Sequence, residues 1–138
     1  MKTIKEQAQE YYNFLEKIPE DKWSINEYID YDKDPSGSCR CAAGHFLPKF
    51  GSIVDYNSAI LSYNNWRLAK MNEFESFIAD HFKGLYPSVI NDGQERGVSY
   101  EPSNNEIEIL KTIKGDTPKQ RILFALKLIM EKHNETST

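Results

Sequence analysis

At 138 residues, with 28% charged and 39% apolar side chains, the chain has the make-up of one ordinary globular domain spanning 1–138. A formal net charge of −4 argues against general nucleic-acid binding, which needs a basic footprint. The first eighteen residues interleave charged and apolar groups too finely for a signal peptide or a membrane span.

In chain order, Thr3-Ile4-Lys5-Glu6 is a capping box, in which hydroxyl and carboxylate each satisfy an orphan N–H. Ile4, Ala8, Tyr11, Leu15 and Ile18 then recur at steps of four and three, one apolar stripe on a helix that Pro19 stops. Pro19 to Trp23 reads as one further turn. Ile25, Tyr28, Ile29 and Tyr31 favour an extended chain, and Asp34-Pro35-Ser36-Gly37 a turn. Cys39-Arg40-Cys41 is expected to pair back as a short second strand, and Ala42 to Leu47 to form a brief helix.

Residues 56–66 are rich in Tyr, Asn and Ser. A longer helix should bury Met71, Phe74, Phe77, Ile78 and Phe82, with Gly84 as its C-cap. Leu85 to Ile90 reads as extended, Asn91-Asp92-Gly93 as a turn, and 94–105 as a loop. Ile107, Ile109 and Leu110 fit a short strand or a short helix equally well. The last helix has Thr117 as cap, Pro118 at its first position and Gln120 completing the box, with 134–138 a frayed tail. The expected fold class is therefore α+β and mainly helical, with about three main helices packed on a small sheet or hairpin.

Two stretches invite a functional reading. The first is Cys39-Arg40-Cys41-Ala42-Ala43-Gly44-His45. Its C-x-C spacing is tight for a chelate, so no metal is expected there. Cys41 at a helix N-terminus, with His45 one turn on and Asp92 to orient the imidazole, would suit a cysteine-dependent hydrolase. The competing reading makes Cys41 a small buried residue beside a closely packed Gly44. Two cysteines two apart do not make a secreted disulfide scaffold, so a cytoplasmic setting is expected. The second stretch is Tyr56-Asn57-Ser58 and Tyr63-Asn64-Asn65-Trp66. Its composition matches adaptable recognition surfaces, in which aromatic anchors supply area and Asn or Ser flexible hydrogen bonds. Tyr63, Asn65 and Trp66 are the binding residues expected from it. Glycine-rich phosphate loops, paired-histidine metal motifs and nucleotide fingerprints are absent, and no cofactor is expected.

Pro19-x-x-x-Trp23, Cys41-Ala42-Ala43-Gly44-His45, Val89-Ile90-Asn91-Asp92-Gly93 and Thr117-Pro118-Lys119-x-Arg121 together resemble a loose group of small phage and bacterial proteins of unassigned function. Residues 94–116 depart from that pattern as an apparent insertion. The resemblance implies a mobile-element accessory protein in a bacterial cytoplasm. Such proteins often bind and block a host component, including antiviral defence proteins. The expected function is thus non-catalytic binding, of a host protein or a small nucleotide-like ligand, with no membrane partner. The cysteine hydrolase is the alternative.

Overall fold

The computed structural model describes residues 2–25, 28–47, 69–93 and 103–133. Among them run five helices: α1 (Ile4–Glu16), α2 (Ala69–His81), α3 (Pro87–Asp92), α4 (Asn104–Leu110) and α5 (Pro118–Lys132). Single 3-10 turns lie at Glu20–Lys22 and Ala43–Phe46.

Local chemistry sets the helix ends. Thr3 Oγ1 accepts from Glu6 N–H at 3.1 Å and the Glu6 carboxylate accepts from Thr3 N–H at 3.1 Å, the box expected from the sequence. Past the end of α2, Lys83 (φ 55°) and Gly84 (φ 92°) turn left-handed, and Gly84 N–H closes on the Ala79 carbonyl at 2.8 Å. Thr117 caps α5, but Gln120 reaches back to the Asp116 N–H at 2.8 Å rather than to Thr117 itself.

The apolar stripes of these helices close one core. α1 lies along α5, α3 packs on α5, and α2 packs on the 3-10 turn at Ala43–Phe46. Leu15, Phe74, Ile78, Ile122 and Leu126 are all fully buried there. Leu126→Ala is expected to cost about 3 kcal/mol, the transfer of the lost methyls plus a cavity that rigid helices cannot close. A urea melt measures it, and a cost below about 1 kcal/mol would mean that α5 is not a core helix.

The small sheet is not there: the described residues contain no strand. Three extended pieces do meet at Arg40, but only as single-residue bridges, parallel to Trp23 and antiparallel to Ile29. The Arg40 N–H donates to Lys22 O, its carbonyl accepts from Ser24 N–H, and Asp30 N–H donates to Cys39 O. On either side the chain leaves extended backbone at once. Residues after Asp30 are used in turns (Asp34 N–H to Asp30 O, Gly37 N–H to Asp34 O), and Ala42 is already helical. No run is long enough for a ladder, so the β-branched and aromatic residues there produce extended chain and no hairpin.

One further segment differs from expectation, and a second settles a choice that the sequence left open. Leu85 to Ile90 is not extended: Pro87 opens α3, which carries Asn91 and Asp92 in its last turn and ends on Gly93 (φ 51°). Within 94–116, Ser103 and Glu106 form a second capping box, and Ile107, Ile109 and Leu110 lie on α4. Among the described residues no helix is long and apolar enough to cross a membrane.

Candidate functional site

The four sequence motifs are linked in series through the turn at Ala43–Phe46 and the end of α3. Asn91, fully buried, accepts the Ala42 N–H at 3.0 Å through Oδ1 and donates through Nδ2 to Ser24 O at 2.8 Å and Asp92 Oδ1 at 2.9 Å. One side chain thus ties α3 to two segments more than forty residues away. From α5, the Arg121 guanidinium donates to the carbonyls of Ile90 (3.2 Å) and Asn91 (2.8 Å), with longer contacts to Asp92 and Gly115. Arg40 ends the turn itself, donating to Gly37 O at 2.7 Å, Gly44 O at 3.2 Å and Leu47 O at 2.7 Å. Planar guanidinium forks suit these sites because several carbonyls lose their partners at helix ends.

Within this frame Cys41 is sealed. It is 3% exposed and belongs to the apolar core. Burial pushes its thiol up to about 12, the Asp92 and Glu75 charges add to that, and the N–H groups of Gly44 and Ala43 offset it only in part. A nucleophilic cysteine needs the opposite, an electropositive and accessible setting. The His45 ring meets Trp23 edge-on, with centroids 5.3 Å apart. Burial, and then the Arg40 charge, bring the imidazole down to about 4, so it is neutral at physiological pH. Asp92 accepts from Asn91 Nδ2 at 2.9 Å, and its charge acts on the thiol only to raise its pKa. Of the expected trio, then, Cys41 lies in the apolar core, Asp92 is bonded to Asn91, and His45 packs against Trp23.

Cys39 is buried as well, its sulfur 4.0 Å from the Asp21 carbonyl. Among the described residues no group of three or more His, Cys, Asp or Glu side chains is placed to hold a metal ion.

An open cleft adjoins the same turn. Tyr11 and Phe14 of α1 and Phe46 line a cleft of about 400 Å³, with His45 beneath and Lys2, Glu10, Lys70 and Glu73 around it. Phe46 stacks on the buried Phe74 (centroids 4.5 Å, planes 26° apart), and Phe14 tilts against Phe46 at 4.9 Å while remaining 44% exposed. Tyr11 packs edge-on to both Phe46 and Phe74. Lys2 and Glu10 form an ion pair at 2.6 Å across the mouth.

Phe14 and Phe46 escape sequence reasoning, whereas Tyr11 stands on the expected apolar stripe of α1. Phe14 lies beside the Leu15 stripe and looks like its flank, and Phe46 looks like core. The expected binding residues Tyr63, Asn65 and Trp66 lie outside the described residues. Compared with protein-family models, curated proteins and solved structures, the chain matches none.

Proposed function

We propose that the chain is a non-catalytic binding protein, an accessory factor of phage or mobile-element kind that docks on a host protein in the bacterial cytoplasm and modulates it. The observation that carries this reading is the aromatic cleft with its exposed Phe14. Large aromatic anchors beside hydrogen-bonding and charged rim groups are the usual material of protein interfaces. The residues proposed to act with it are Tyr63, Asn65 and Trp66.

Between a host protein and a nucleotide-like ligand, the rim favours the protein. Two lysines are balanced by two glutamates, and Lys2 is already engaged with Glu10, which leaves little positive field for phosphates. The sealed, high-pKa thiol of Cys41 weighs against the cysteine hydrolase.

The test pairs two sets of variants. Against a host protein recovered with the chain by pull-down from bacterial lysate, Phe14→Ala and Trp66→Ala are each expected to lose about 2 kcal/mol of affinity, roughly thirtyfold, while Cys41→Ser binds as the parent does. Alkylation of the native chain at pH 8 should spare Cys41, and urea should expose it. A folded Cys41→Ser protein that loses its effect while both aromatic variants keep theirs would overturn the reading.

A further inference from the structure

The aromatic cleft already holds one cation, and it is the chain's own. Lys2 stands just before the Thr3 cap and reaches along α1 to Glu10, with Nζ 2.6 Å from the carboxylate. The same ammonium lies within the field of Glu73 and Tyr11, and Tyr11 Oη donates to Glu73 Oε1 at 3.4 Å. Glu10, by hydrogen bond and charge, and then Glu73 hold Lys2 above the usual lysine range. We propose that Lys2 is an internal stand-in for an arginine side chain of the host protein, which displaces it and seats its guanidinium among Tyr11, Phe14 and Phe46, paired with Glu10 and Glu73. This rests on the docking role proposed above and names the chemistry of the anchor.

Charge selects a cation. Among the described residues that line the cleft, Lys2, Lys70, Glu10 and Glu73 carry formal charges, while His45 is neutral at physiological pH. With Lys2 in place the charges cancel. Once Lys2 swings out, two carboxylates face one lysine, and the net of −1 accepts a single incoming cation. An anion would meet the opposite balance. The whole chain, at −4, adds attraction for a basic partner.

The walls select arginine over lysine. Phe14 and Phe46 are tilted 40° to each other with centroids 4.9 Å apart, and Phe14 is 44% exposed. A planar, weakly hydrated guanidinium lies flat on such rings and keeps donors free for carboxylates, whereas a compact ammonium retains its water. Displacing Lys2 costs little. The Lys2 and Glu10 side chains are 60% and 57% exposed, and an ion pair so open to water contributes little to begin with.

NMR titration of the full chain with Nα-acetyl-arginine amide tests this, beside Nα-acetyl-citrulline amide, which has the same planar shape without the charge. The arginine probe is expected to bind saturably with a Kd of about 1–10 mM, shifting the ring signals of Tyr11, Phe14 and Phe46. The citrulline probe should bind at least about threefold more weakly. Glu73→Gln should weaken arginine binding by about threefold. Lys2→Ala should do the reverse and tighten it by about twofold to fivefold, because the internal competitor is gone; a merely structural lysine would give no gain. Both positions are exposed, and thermal melts matching the parent's establish that the variants fold. Citrulline binding as tight as arginine, or a Lys2→Ala chain that binds arginine no tighter than the parent, overturns the proposal. If Phe14→Ala still loses the host protein in that case, the docking reading stands without it. Host capture indifferent to Phe14→Ala overturns the docking reading itself, and the host arginine with it.

Discussion

Gly44→Ala is expected to keep the chain from reaching a stable fold, at a cost of about 3 kcal/mol or more. Gly44 sits in the 3-10 turn with ordinary backbone angles, so propensity alone would favour alanine by about 1 kcal/mol. The opposing effect is contact. A Cβ at this position would run into the Tyr28 carbonyl oxygen, with the carbonyl carbon 2.8 Å and the Tyr28 Cα 3.1 Å away. A flexible side chain could swing aside from a new methyl group; backbone cannot. Nor is the turn free to retreat, since Arg40 holds the Gly44 and Leu47 carbonyls and Asn91 holds the Ala42 N–H. Urea denaturation followed by circular dichroism measures the outcome. The sign alone decides: a variant as stable as the parent would mean that the Tyr28 segment and the turn are not in contact.

That contact illustrates which parts of the structure were legible in the sequence. The cap of α1, the left-handed end of α2 and the start of α5 are settled by groups a few residues apart, and Thr3, Gly84, Thr117 and Pro118 act as expected. The buried stripes of α1, α2 and α5 were likewise readable from spacing. Elements left open or misassigned had a local signal that a louder one covered or that nothing reinforced. Ser103-x-x-Glu106 is the same box as Thr3-x-x-Glu6, but α4 buries none of its residues, so no apolar period accompanied it. Pro87 marked the first position of α3, while Val89 and Ile90 spoke for a strand. The expected sheet failed for another reason. β-propensity describes a residue's fit to a pleated surface, and whether a neighbouring strand exists is decided by distant chain.

The candidate site was half legible in the same sense. Trp23, Cys41 to His45, Asn91-Asp92-Gly93 and Arg121 could be singled out as unusual, and they do meet. Their roles depend on how they meet. A thiol at a turn N-terminus reads from sequence either as reactive or as a small buried residue; the core closes over it and raises its pKa. An Asn-Asp-Gly triplet reads as a turn; its asparagine in fact ends a helix and bonds two remote segments. Phe14 carried no signal at all, because its exposure depends on the shape of the groove beside Phe46.

Arg121 carries the second large effect. The guanidinium is 7% exposed and gathers the carbonyls that end α3, those of Ile90, Asn91 and Asp92, together with Gly115 O. Arg121→Ala removes every one of these donors at once. A buried carbonyl left without a partner costs about 1–3 kcal/mol, so a loss of about 4 kcal/mol is expected even if water reaches the outer ones. Arg121→Lys should recover less than half of that, because an ammonium is a point donor and cannot span three carbonyls of one helix end. The same residue should couple to Asn91. Arg121 fixes the main chain of Asn91, and the Asn91 side chain in turn holds Ala42 N–H and Ser24 O. Once either is gone, the other has less to hold in place. In a double-mutant cycle with Asn91→Ala the two losses are therefore expected to fall short of additivity by about 1 kcal/mol or more. Chemical denaturation of the parent, the two single variants and the double variant measures both quantities. A loss below about 1 kcal/mol for Arg121→Ala, or strict additivity with Asn91→Ala, would show that α5 does not hold α3 through this guanidinium.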